Sequence, residues 1–499
     1  MGLLRRFPGF IILLMISSAL MAAPALHAAR LEDWPTARVF ADHALFLLAL
    51  SVILGLATMN RVPRSVARYH LVTLLLAFAL IPVALAAPVE ALVPGLSFGR
   101  AYFEMLSCLT TTGASLFERN TELPEPLHFW RALVGWMGGL LVLVTAFSIL
   151  APLNLGGFEL RLGGGAVESR HSATVEEAGR RIARFTRVIA PIYGGLTGAL
   201  ALALIFAGDR PFIAICHAMS TLSTSGISPV GGLSGGQSGF LGELAIAICL
   251  LPAVSHHILG YERRRRTMPN PRDPELELML ITVSAVTLLL FLRSYIGAAE
   301  IDRQGNLLAS AKAIWGGMFT TLSFLTTTGF ASNDWRTMQL WSNMPSPGVI
   351  LMGVAVMGGG VATTAGGVKL LRIYSLYRQG LREMELLVHP SSLGRRGQGD
   401  HIITARGARI AFIFLLLFLI AMALVMIGLA ATGLNFETSL TLAIAGLTTT
   451  GPLIDTLGGG TGYQDLGDAS LAILCAAMIV GRLETLVIVA LFNPGFWRG

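Results

Sequence analysis

The 499-residue chain carries little charge. Asp, Glu, Lys and Arg make up only 13% of it, against roughly 25% in a soluble domain. With 54% hydrophobic residues and a mean hydropathy of +0.68, a soluble protein of this length could not keep its apolar surface from water. The class is a polytopic membrane protein. Cysteine is scarce as well. Cys108, Cys216, Cys249 and Cys475 sit in apolar segments without CxxC spacing, which excludes a disulfide framework and gives no zinc site. The signatures HExxH, GxSxG and GxxxxGK[ST] are all missing. The ten histidines are scattered, and the adjacent His256 and His257 point to different helix faces. A membrane enzyme, a haem or metal centre and ATP hydrolysis by a phosphate loop are therefore unsupported. The net charge of +7 does not point to nucleic acid, because the basic residues form short clusters between apolar runs, as cytoplasmic loops do.

What is present is a repeated loop. Leu325-Thr326-Thr327-Thr328-Gly329 is echoed by Leu109-Thr110-Thr111-Thr112-Gly113 and by Leu447-Thr448-Thr449-Thr450-Gly451. A looser copy is Leu222-Ser223-Thr224-Ser225-Gly226. The glycines stand 113, 103 and 122 residues apart. A near-constant period marks an internal repeat and fixes the architecture.

Each copy lies in a unit of apolar helix, short segment ending at the loop, and second apolar helix. The expected fold is all-α, with four pseudo-symmetric helix–pore-loop–helix repeats around one central pore, plus two N-terminal helices. The boundaries are 1–68 for the N-terminal helices, then 69–160, 180–262, 275–378 and 403–499 for the repeats. The short segments are expected at 98–109, 211–222, 311–325 and 436–447. At about 11–15 residues they fall short of the roughly 20 that cross a bilayer, so they read as re-entrant half-helices. Residues 1–30 allow two readings, a cleaved secretory signal or a first membrane helix. Arg61, Arg64 and Arg68, Arg180 to Arg187, Arg263 to Arg266 and the stretch 369–406 fall at or near the junctions between units, which the positive-inside rule makes cytoplasmic. Glu118, Glu122, Glu125, Asp334, Asp455, Asp465 and Asp468 flank the loops and are expected outside. Asp334 and Asp455 either concentrate cations at the mouth or belong to ordinary solvated loops.

The chemistry of the loops suits a cation. A dehydrated ion needs a ring of carbonyl oxygens, supplied by four short loops. Thr and Ser hydroxyls either ligate the ion or brace the loop. The glycine permits φ > 0 or close backbone approach, and a half-helix pointing its C-terminal end at the axis adds partial negative charge. One such loop would read as a plain helix-to-turn transition; four in equivalent places read as a filter.

These stretches resemble the TrkH/KtrB/HKT superfamily of potassium transporters, and most closely its bacterial TrkH branch. Leu109 to Ala114 is similar to the first family filter. Trp136-Met137-Gly138-Gly139, Ala214-Ile215-Cys216-His217, Gly358-Gly359-Gly360, Ala365-Gly366-Gly367-Val368-Lys369, Arg382-Glu383, Leu387-Val388-His389-Pro390 and Gly481-Arg482-Leu483-Glu484 follow in the family order. The likeness covers essentially the whole chain, including both N-terminal helices, and so favours a retained first helix. It implies potassium uptake across the bacterial cytoplasmic membrane, K+ as the substrate ion with no bound cofactor, a homodimer, and a cytosolic nucleotide-binding regulatory ring resembling TrkA. Both termini are expected in the cytoplasm. Ser223 and Ser225 in place of Thr, and Pro452 after the fourth glycine, make the filter only pseudo-fourfold.

The stretch 358–367 places five glycines, with Thr363 and Thr364, inside the third unit's second helix. Glycine costs about 1 kcal/mol per position in a helix interior, so this stretch should be unwound. The resemblance implies an intramembrane gate of Gly358, Gly359, Gly360, Thr363, Thr364, Gly366, Gly367 and Lys369. A packing seam would need small residues on one face only. Lys369 also reads, with Arg372, as a positive-inside anchor. Arg482 and Glu484 lie in an apolar helix, where a charge costs about 2.5–3.5 kcal/mol and needs a cavity or partner. The resemblance places Arg482 in the pore below the filter; a structural ion pair is the other reading. A secondary transporter coupling Na+ or H+ to another solute is the competing function.

Overall fold

The computed structural model describes residues 7–59, 66–117, 123–151, 175–255, 273–298, 307–342, 348–389, 405–456 and 462–483. Arg61, Arg64, Glu118, Glu122, His256, His257, Arg263 to Arg266, Pro390 and Glu484 lie outside the described residues.

The described residues fold as α-helices with short turns and no strand. Two N-terminal helices, α1 (Gly9–Arg30) and α2 (Trp34–Thr58), form an antiparallel hairpin. Asp33 caps α2 by accepting from the Thr36 N–H at 3.2 Å. The hairpin packs on α3 (Val66–Leu92) and α5 (Glu125–Thr145). Between those two runs α4 (Phe98–Leu109), capped by Ser97. A π-helical turn, Ala146–Leu150, continues α5.

The same sequence of elements follows three more times. α6 (Val175–Phe206), α7 (Pro211–Ser223) and α8 (Gly239–Val254) come first. Next are α9 (Pro274–Ala298), α10 (Leu307–Leu325), the short α11 (Trp335–Ser342) and α12 (Gly348–Met357). Residues 358–369 leave the helical path, and α13 (Leu370–Val388) resumes it. Finally α14 (Ala405–Ala431), α15 (Phe436–Thr448) and α16 (Asp468–Leu483) complete the described residues.

Seven helices among the described residues are long and apolar enough to span a membrane: α1, α2, α3, α5 with its π turn, α6, α9 and α14. The chain is a multi-pass membrane protein. Its outer faces carry exposed Leu45, Phe46, Ile53, Phe412 and Leu424, as a lipid-facing surface should.

α4, α7 and α15 have 12, 13 and 13 residues, about 18–20 Å at 1.5 Å per residue, short of a ~30 Å core. α10 differs: it has 19 residues rather than the shorter segment expected from 311 onward. Its first turn extends back to Leu307, a good helix former that the apolar pattern alone does not separate from the preceding loop.

Candidate functional site

α4, α7, α10 and α15 end in the same way. In each loop the middle threonine is left-handed: Thr111 at φ 54°, Thr224 at 53°, Thr327 at 57° and Thr449 at 56°. A β-branched residue in this region is a true outlier, costing of order 1–3 kcal/mol. The residue after it then donates back across the helix end, from Thr112 N to Ser107 O at 2.8 Å, Ser225 N to Ser220 O at 2.9 Å, Thr328 N to Ser323 O at 2.9 Å and Thr450 N to Ala445 O at 2.9 Å. This is the six-to-one bond of a Schellman ending. Sequence reasoning assigned the left-handed position to glycine. The structure gives it to the threonine as well, and Gly451 is not left-handed but opens a 3-10 turn, Gly451–Thr456.

The side chains divide the two roles offered to them. The first and third hydroxyls of each loop bond each other: Thr110 to Thr112 at 2.8 Å, Ser223 to Ser225 at 3.0 Å, Thr326 to Thr328 at 3.1 Å, and Thr448 to Thr450 at 3.1 Å. These are braces, and Ser serves as well as Thr, which accounts for the second loop. The middle hydroxyls behave otherwise. Those of Thr111 and Thr449 are buried with no hydrogen-bond partner, and that of Thr327 accepts the Gly366 N–H at 2.8 Å. Thr224 donates to the Ser223 carbonyl at 2.7 Å.

Each glycine sits where the next loop passes. A Cβ on Gly113 would fall 1.8 Å from the Ser225 carbonyl oxygen, and one on Gly226 would fall 2.2 Å from that of Thr328. One on Gly329 would meet Pro452 at 2.9 Å, and one on Gly451 would lie 2.2 Å from the Ala114 nitrogen. The contacts run from the first loop to the second, third, fourth and back to the first, closing a ring. The Gly451 N–H seals it by donating to the Thr112 carbonyl at 2.6 Å.

The Gly-rich segment 358–369 packs against this ring. Gly366 approaches the fourth loop so closely that a Cβ would lie 2.0 Å from the Thr448 carbonyl oxygen. The Thr364 hydroxyl donates to the Leu222 carbonyl at 3.4 Å, beside the second loop. The segment is held from below by Gly360 N donating to Ala253 O at 3.0 Å and by Val361 N donating to the buried Glu275 carboxylate at 2.8 Å. Thr363 bonds within the segment to Gly360 O at 2.7 Å. Arg482, on α16, reaches both layers: Nε donates to Thr110 O at 2.8 Å and Nη1 to Thr364 O at 2.6 Å. Its third nitrogen, Nη2, is buried without a hydrogen-bond partner. Lys369 and Arg372 are not interfacial anchors. Both are buried, Lys369 Nζ donating to Ala365 O and the Arg372 guanidinium lying 3.8 Å over the Phe414 ring. Such a cation–π contact repays part of the burial cost.

Behind the loops stand residues that sequence reasoning did not single out for the loops. Glu104 is fully buried, pairs with Arg131 at 2.7 Å and accepts the Leu116 N–H at 2.9 Å. Arg131 also donates to Ser115 at 2.7 Å. His217 is 2.8 Å from the Ser228 hydroxyl, with Asp209 4.0 Å from its other nitrogen. Thr320 accepts the Ser332 N–H at 3.2 Å, while Glu243 on α8 accepts from Trp315, Ser332 and Asn333. Glu104, His217 and Thr320 each stand nine residues before the glycine of their loop, so the signal was in the spacing. The fourth loop has Leu442 at that place and is held instead by the Tyr463 hydroxyl, donating to Gly451 O at 2.9 Å. Of the two outer acids, Asp334 is half-buried and Asp455 exposed.

The arrangement offers carbonyl and hydroxyl oxygens with the Arg482 guanidinium against them. It suits a dehydrated monovalent cation. The sequence matches the family described as TrkH, cation transport protein, over residues 87–231 and 275–497. The chain belongs to that family. Among TrkH-family relatives it is 29% identical to the Trk system potassium uptake protein TrkH of Halomonas elongata over 509 residues, 98% of each chain. It is also 29% identical to the TrkH of Vibrio parahaemolyticus over 415 residues, 81% of each. The crystal structure of the potassium transporter TrkH from Vibrio parahaemolyticus superimposes with a TM-score of 0.82 at 26% identity, covering 99% of this chain and 100% of that one. The family is one of transporters, not enzymes, and the fold is the TrkH fold.

Proposed function

We propose that this protein carries potassium into the cell across the bacterial cytoplasmic membrane, through a filter formed by residues 110–113, 223–226, 326–329 and 448–451. The closed ring of four loops, each with a left-handed middle threonine, is the observation that carries the reading. The names of the relatives support potassium as the ion. The units 69–160, 180–262, 275–378 and 403–499 are then four repeats around one pore, preceded by the helices of 1–68. Both termini lie in the cytoplasm, the protein works as a homodimer in the bilayer, and a cytosolic nucleotide-binding ring regulates it.

The segment 358–369 is the gate. Its contacts with Thr327, Leu222 and Arg482 support a closed state beneath the filter.

The test is growth at limiting potassium and rubidium uptake in a bacterium lacking its own potassium uptake systems. Uptake is expected from the wild type alone or with a cytosolic regulator co-expressed. No uptake from well-expressed protein in either case would remove the potassium assignment and favour a solute transporter coupled to Na+ or H+.

A further inference from the structure

The ring is closed, but its four glycine carbonyls are not equivalent. Gly451 has both backbone polar groups engaged by protein, its N–H by the Thr112 carbonyl at 2.6 Å and its carbonyl oxygen by the Tyr463 hydroxyl at 2.9 Å. No donor among the described residues reaches the carbonyl oxygens of Gly113, Gly226 or Gly329. Tyr463 is buried, at 5% exposure, with its ring 5.9 Å from that of Phe103 on α4. The segment bearing it is clamped to the same helix. Arg100 donates to the carbonyls of Gln464 at 3.3 Å and Leu466 at 3.0 Å, and pairs with Asp468 at 3.2 Å. The phenol is therefore fixed from the first unit, against the glycine of the fourth.

We propose that Tyr463 is a specificity-determining residue. Its hydroxyl keeps the Gly451 carbonyl from the ion, so that the glycine level of the filter offers three free carbonyl oxygens instead of four. This rests on the filter reading above. The number and field strength of the carbonyl dipoles around an ion govern discrimination between potassium and sodium. A carbonyl that already accepts a phenolic proton is turned toward that donor and presents less charge to a cation. Three oxygens suit the smaller ion better than four do. The wild-type filter is thus set to a lower potassium preference than its loops could reach.

The experiment is Tyr463→Phe, which keeps the ring and removes the donor. The ratio of sodium to potassium concentrations that halve rubidium uptake reports the preference. It should shift toward potassium by roughly two- to tenfold, the scale of one hydrogen bond. Purified protein should show the same change in the melting temperatures recorded in potassium and sodium salts. Phe103→Leu, which loosens the packing and leaves the hydroxyl, should keep the wild-type ratio. An unchanged ratio in Tyr463→Phe, a shift toward sodium, or an equal shift in Phe103→Leu would overturn the proposal. Should Tyr463→Phe not assemble, Tyr463→Met, which also lacks the hydroxyl donor to Gly451 O, carries the same test. Gly329→Ser separates the two readings. If it alters selectivity while Tyr463→Phe does not, only the role of Tyr463 falls; if neither does, the filter reading has failed.

Discussion

Arg482 and Thr110 stand 372 residues apart, yet the Arg482 Nε donates to the Thr110 carbonyl oxygen at 2.8 Å. The same guanidinium donates to Thr364 at 2.6 Å. One cation thus ties the first loop to the segment 358–369, which the proposed function makes filter and gate, with Arg482 in the path of the ion.

Neutralising it should speed transport. Two unit charges roughly 5 Å apart repel by about 3 kcal/mol at an effective dielectric of 20. Arg482→Gln removes that repulsion and one anchor of the gate together. Rubidium uptake per molecule in the membrane is expected to rise at least about tenfold, given 1.4 kcal/mol per decade. A variant that inserts normally and transports at the wild-type rate or slower would show that Arg482 is purely structural.

The proposed gate is also bonded to one threonine of the proposed filter. Gly366 donates to the Thr327 hydroxyl at 2.8 Å. Thr327→Val keeps the shape and loses the acceptor, a change of about 1 kcal/mol. Basal leak should increase a few-fold in liposomes without any regulator. Removing Thr364 and Ala365 should raise it further. A leak unchanged in both variants would argue that residues 358–369 are packing, not a gate.

Glu104 and Arg131 form a buried pair behind the first loop, at 0% and 6% side-chain exposure. Breaking one partner of such a pair typically costs about 3–5 kcal/mol, because the other charge stays buried. Glu104→Gln should lower the melting temperature of the purified protein markedly. Glu104→Gln combined with Arg131→Met should recover part of the loss. If the double variant is no more stable than the single one, the pair is not the source of the loss.

Much of this was legible in the residues. The four loops, the half-helix of 98–109 and the break at 358–367 follow from a repeat, a length too short to cross a bilayer, and a run of glycine in an apolar helix. Lys369 and Arg372 were harder. A charge at the end of an apolar run reads as an interfacial anchor, and only the packing of Phe414 and the Ala365 carbonyl shows both side chains buried. The left-handed threonines were invisible because the following glycine is the better candidate for positive φ. Tyr463 was missed because its bond to Gly451 depends on how a loop returns, which no periodicity encodes.

Rubidium uptake with sodium and potassium as competitors, in wild type and Gly329→Ser, decides whether the four loops form one cation filter. A Cβ at Gly329 meets Pro452 of the next loop at 2.9 Å and must adopt φ +81°. Normal membrane insertion with lost uptake or a clear shift toward sodium is expected. Uptake and ion preference equal to wild type would contradict it.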